Sequence, residues 1–168
     1  MVKETLVQYA KVLSNLSAIL DKAQLFAEHK KIEPAVLLNA RLAPDQFHFI
    51  KQVQIATDTC KFTAAKLSGQ TPPVFEDGEQ TIPELKARIE KTIKYISSFK
   101  EDDFKGINDI RTTSPWIKGK FLPGDEYFWQ YSIPNFYFHI TTAYSILRHN
   151  GLDIGKGDYL GQINYRDL

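Results

Sequence analysis

The chain reads as an all-α protein, a four-helix bundle, and two features of the 168 residues predict it. Apolar residues recur in alternating steps of three and four over several long stretches, which places each stripe on one face of a helix. Gly, Pro and capping residues fall between these stretches, and strand-like alternation is scarce. A chain of this length, 43% hydrophobic and 24% charged, fits one compact domain over residues 1–168.

The first stripe runs Leu6, Tyr9, Leu13, Leu16, Leu20, Ala23, Ala27. Its helix ends at Glu28-His29-Lys30-Lys31, where cations suit the negative carbonyl end, and Pro34 follows. The second stripe, Ile50, Val53, Thr57, Cys60, Ala64 and Leu67, predicts a helix over about residues 45 to 68, stopped by Gly69, Pro72 and Pro73. The third helix opens on a capping box, Thr81 and Glu84 with Pro83 in the first turn, and carries Leu85, Ile89, Thr92, Ile96 and Phe99.

Residues 100 to 131 form a long aromatic-rich crossover, broken by Gly106, Pro115, Gly119, Pro123 and Gly124. A short β-hairpin around "SPWIKGKFLPG" and a short helix over "DEYFWQY" are expected there, covering one end of the bundle. Pro134 kinks or restarts the chain into the fourth helix, which ends at Asn150-Gly151. The remaining residues read as a tail on the surface.

Lys and Arg number 21 against 20 Asp and Glu, so no single-sign field draws in nucleic acid or an anionic membrane. Cys60 is the single cysteine, which excludes an internal disulfide and points to a reducing compartment. The first twenty residues hold no unbroken apolar core, so the expected location is the cytoplasm, with no membrane span.

Asn135 and His139 stand one turn apart on the fourth helix, a spacing that suits two ligands on one face. The structural alternative is a hydrogen-bonded, partly buried His139 with Asn135 capping the restarted helix. Gln54 and Asp58 are the matching pair on the second helix. Facing the first pair across the bundle, they would complete a polar pocket of Gln54, Asp58, Asn135 and His139, with Tyr137 or Tyr144 nearby. Asp58 alternatively points to solvent or pairs with Lys61. His29 and His149 sit in last turns and favour the helix dipole; His48 reads as a partly covered residue, and Cys60 as a small core residue. "GLDIGKGDYLG" is not a phosphate loop: its glycine spacing is short, and it follows a helix instead of a strand.

The blocks "LLNARLAPDQFHFIKQVQIATD", "PNFYFHITTAYSILRHNG" and "IGKGDYLG" resemble an uncharacterised bacterial family, a domain of unknown function, within the DinB/YfiT-like superfamily. The resemblance spans nearly the whole chain and implies a four-helix bundle with a long crossover, frequently a homodimer. Metal-binding members of the superfamily hold nickel or zinc on three histidines. By the resemblance these positions fall on Gln54, Asn135 and His139, of which only His139 keeps an imidazole. Two amides are poor ligands for a transition metal, so the resemblance implies a degenerate metal site.

Three functions follow as expectations. The first is binding of a small molecule in the polar pocket, with His139 as acid, base or hydrogen-bonding group. The second is a noncatalytic dimeric helical module. The third, allowed by the resemblance, is a divalent-metal-dependent thiol transferase or isomerase with His139 and Asp58 as its strongest protein ligands.

Overall fold

The computed structural model describes residues 1–114 and 118–167. Helix α1, Val2–Lys30, buries the whole expected stripe from Leu6 to Ala27. Lys31 closes it in the left-handed region, φ 56°, returning its N–H to the carbonyls of Ala27 and Glu28. Pro34 then opens a short helix, α2, Pro34–Leu38, whose Leu37 and Leu38 reach the core. Five residues are too few to display a period, so α2 leaves no stripe in the sequence.

Helix α3 spans Phe49–Leu67. It starts later than residue 45 because residues 43 to 46 form a turn and the Phe49 N–H bonds the Ala40 carbonyl. Helix α4, Ile82–Ser97, begins with the capping box: the Glu84 N–H donates to Thr81 Oγ1, and the Thr81 N–H donates to Glu84 Oε2 at 2.9 Å.

Two 3₁₀ turns, Glu101–Phe104 and Ile107–Asp109, lead into an antiparallel ribbon, β1 (Arg111–Thr112) with β2 (Leu122–Pro123). The expected hairpin therefore exists, with β2 inside the quoted stretch and β1 just ahead of it, and Pro115, Trp116 and Ile117 lie outside the described residues. The expected short helix is α5, Gly124–Glu126, running into a π-helical segment, Tyr127–Ser132, and on into α6, Ile133–His149. Pro134 supplies no N–H and its ring crowds the carbonyl one turn back, and the wider π turn ahead of it relieves both. The chain is thus not restarted at Pro134, and Asn135 is not a cap.

The tail does more than lie on the surface. Leu152 and Ile154 are buried, and a short helix, α7 (Lys156–Leu160), docks on α1 through Asn15 Nδ2 donating to the Tyr159 carbonyl and a Lys22–Asp158 ion pair of 2.6 Å.

In the bundle α4 packs between α1 and α3, while α6 lies antiparallel along α3. The long crossover makes this possible by carrying the chain around the end where α3 and α4 finish. Tyr9, Phe49, Phe128 and Phe136 fill one continuous core with the leucines of α1 and α4. Among the described residues, no helix is long and apolar enough to cross a membrane.

Candidate functional site

Helix α3 carries polar groups on two faces, and they serve different neighbours. Successive residues turn by about 100°, so Gln52 and Gln54 point roughly 200° apart. Gln52 faces α6; Gln54 faces the chain that leads into α4.

On the α6 side the polar groups form rungs. His139 Nδ1 lies 2.7 Å from Gln52 Oε1, and Gln52 Nε2 donates to the Phe47 carbonyl at 2.8 Å. That second bond identifies Oε1 as the acceptor, so His139 carries its proton on Nδ1. Its Nε2 is then an unprotonated lone pair, and it makes no hydrogen bond among the described residues. Burial leaves His139 only 7% exposed and pushes its pKa down to about 4, so the ring is neutral at neutral pH.

One turn toward the N-terminus of α6, Asn135 Nδ2 donates to Thr59 Oγ1 at 2.8 Å, and Thr59 passes its own proton to the Ile55 carbonyl. Deeper in the bundle Thr63 spends its proton on the Thr59 carbonyl, so Ser132 donates to Thr63 and accepts from Tyr9. Gln52, Thr59 and Thr63 recur at spacings of seven and four along α3, which places them on one face of the helix. Spacing alone points equally to Gln54; the partner's face decides which residues meet.

On the opposite side of α3 lies a charged cluster centred on Arg88 of α4, whose side chain is 2% exposed. Its Nε donates to Thr57 Oγ1 at 2.7 Å, Nη2 to Asp58 Oδ1 at 2.9 Å, and Nη1 to Glu79 Oε1 and the Glu76 carbonyl, each at 3.0 Å. Asp58 also pairs with Lys61 at 2.7 Å, the alternative named for it above. Gln54 joins this cluster, its Nε2 donating to Glu79 Oε2 at 2.9 Å. The structure therefore brings Asn135 and His139 together with Gln52 and Thr59, and turns Gln54 and Asp58 away from them. A buried arginine held by carboxylates, a hydroxyl and a carbonyl ties the 70–80 connection to the bundle.

Tyr137 points toward α1, edge-on to Tyr9 at 6.2 Å. With Phe138, Thr141 and Leu42 it also walls an open groove of about 440 Å³ on the outer side of α6. Tyr144 turns to the tail, its hydroxyl 3.4 Å from the Ile154 carbonyl. Cys60 is fully buried, and burial pushes its thiol well up, as suits a core residue.

The three positions implied for nickel or zinc do not converge. Gln52 orients the His139 ring as an outer carbonyl orients a metal-bound imidazole, but Asn135 aims its amide nitrogen at Thr59 and Gln54 is spent on Glu79. Among the described residues no three His, Cys, Asp or Glu side chains are grouped to hold a metal ion. The donor set does not fit a transition-metal centre.

The helical bundle with its long crossover, and the α3–α6 seam ending in His139, define a DinB-like protein. A crystal structure of a DinB family member protein from Shewanella denitrificans is 51% identical, over 97% of this chain and 93% of that one, with a TM-score of 0.93. The chain belongs to the family described as Domain of unknown function (DUF1993), whose model matches residues 1–160. Comparison with curated proteins finds no match.

Proposed function

We propose that the α3–α6 seam binds a small polar molecule at His139 and Asn135. The observation that carries this is the Gln52–His139 pair, which fixes the ring so that a neutral Nε2 lone pair stands without a partner among the described residues. A ligand hydroxyl, amine or thiol would donate to Nε2, and the Asn135 amide would orient it. His139 titrates far below neutrality, so it serves as acceptor or base and not as a standing cation. On the outer side of α6, the groove walled by Tyr137 and Phe138 offers an apolar surface. The single buried cysteine is in keeping with a reducing, cytoplasmic setting.

A second reading is favoured by the rungs themselves. Gln52–His139, Thr59–Asn135 and Thr63–Ser132 satisfy one another, as groups do whose work is to fix helix register in a noncatalytic, dimeric module. The metal-dependent thiol transferase reading has the least support, because the donors do not converge.

One experiment separates all three. Metabolites are screened by thermal shift against the untagged wild type and His139→Ala, with elemental analysis of both. Compounds that stabilise the wild type and not the variant support the binding site. Destabilisation of the variant without any His139-dependent ligand, in a protein that sediments as a dimer, supports the structural module. About one metal per chain, lost in the variant, would overturn both and revive the metalloenzyme.

A further inference from the structure

The β1–β2 ribbon roofs a cavity of about 210 Å³ at the crossover end of the bundle, roughly two helical turns along the chain from His139. Its floor is Tyr127 and Tyr131, whose rings stack 5.5 Å apart at 24°. They stand four apart in the π-helical segment, and its wider turn sets both rings on the same side. Phe121 also lines the cavity. The hydroxyls of Tyr127 and Tyr131 stay protonated, because burial raises both above the ordinary phenol range.

The polar edge of the cavity is cationic. Lys120 and Ser114 line it, and the Arg111 guanidinium lies 4.8 Å over the Phe121 ring. Lys66 holds the roof by donating to the Thr113 carbonyl at 2.8 Å, with its ammonium 5.2 Å above Tyr127. From residue 110 to 124 the sequence has Arg111, Lys118 and Lys120 and no carboxylate. Thr112 adds no donor, since its hydroxyl is bonded to the Leu122 carbonyl across the ribbon. An aromatic slot with the Lys120 ammonium at its edge selects a flat ring bearing a negative charge.

We propose that this cavity binds a small planar aromatic carboxylate, its ring against Phe121 and the Tyr127–Tyr131 stack and its carboxylate at Lys120 and the Ser114 hydroxyl. The site is separate from the Asn135–His139 seam and does not depend on it.

Benzoate and its uncharged counterpart benzamide are the probes, titrated into the isotope-labelled full chain and followed by amide chemical shifts. Saturable one-to-one shifts centred on Ser114, Lys120, Phe121, Tyr127 and Tyr131 are expected for benzoate. Benzamide should bind about tenfold more weakly, and so should benzoate to Lys120→Gln or Ser114→Ala, as expected for loss of one charged or charge-assisted contact. Both substitutions are at surface-reaching positions, so a folded variant is available for the comparison. Absent or unsaturable shifts, shifts centred elsewhere, equal binding of benzamide, or unchanged affinity in both variants would overturn the assignment.

Discussion

At His139 a single side chain links packing to pH. The folded protein holds its pKa near 4, while the unfolded chain titrates near the ordinary 6.5. Between those values the unfolded state binds a proton that the folded state refuses, so stability rises with pH across the window. The contribution is complete above about pH 6.5 and is lost as the pH falls toward 4. In urea unfolding, the wild type should lose about 2 kcal/mol more than His139→Gln between pH 7 and pH 4.5, after allowance for partial solvent screening. Parallel pH profiles would remove the buried neutral imidazole from the description. Residue chemistry of this kind was partly legible: His139 was singled out, while the Lys61 pairing of Asp58 stood only as one alternative to its place in the pocket. Gln52 was not found, because nothing in a run of "KQVQ" says which glutamine faces α6.

Helices and turns follow local rules closely, and the crossover shows where those rules meet tertiary limits. Thr81 and Glu84 built the capping box expected of them, and the stripes on α1, α3 and α4 became buried faces. Gly124, noted in the sequence only as a breaker, has a further reason to be glycine. A Cβ there would sit 2.2 Å from the Ile107 carbonyl oxygen, as the 3₁₀ turn at Ile107–Asp109 crosses the start of α5. Gly124→Ala should therefore cost about 2 kcal/mol in thermal unfolding and speed hydrogen exchange across residues 107 to 124. A variant as stable as the wild type would mean that the two backbones part easily. The π-helical segment was read as an ordinary short helix, since its sequence, "YFWQYS", carries no mark that separates the two.

Across the whole molecule the order of the helices and the fate of the tail are collective outcomes. Helix α6 returns to lie beside α3, and α7 then crosses onto α1, so residues remote in sequence close the bundle. Leu152, only 3% exposed, belongs to the core although it follows the last long helix. Leu152→Ala should lower stability by about 3 kcal/mol in denaturant melts, the cost of a buried cavity; a surface tail would lose almost nothing.

Apolar periodicity, caps and breakers by themselves determined the all-α class, the four long helices and the aromatic crossover, because these depend on neighbours within a few residues along the chain. The resemblance carried by the three sequence blocks extended that to the family. Tertiary structure alone decided that Gln54 and Asp58 serve Arg88, while Gln52 and Thr59 meet His139 and Asn135. Side chains two residues apart on a helix point almost oppositely, and only the packed neighbour on each side selects between them.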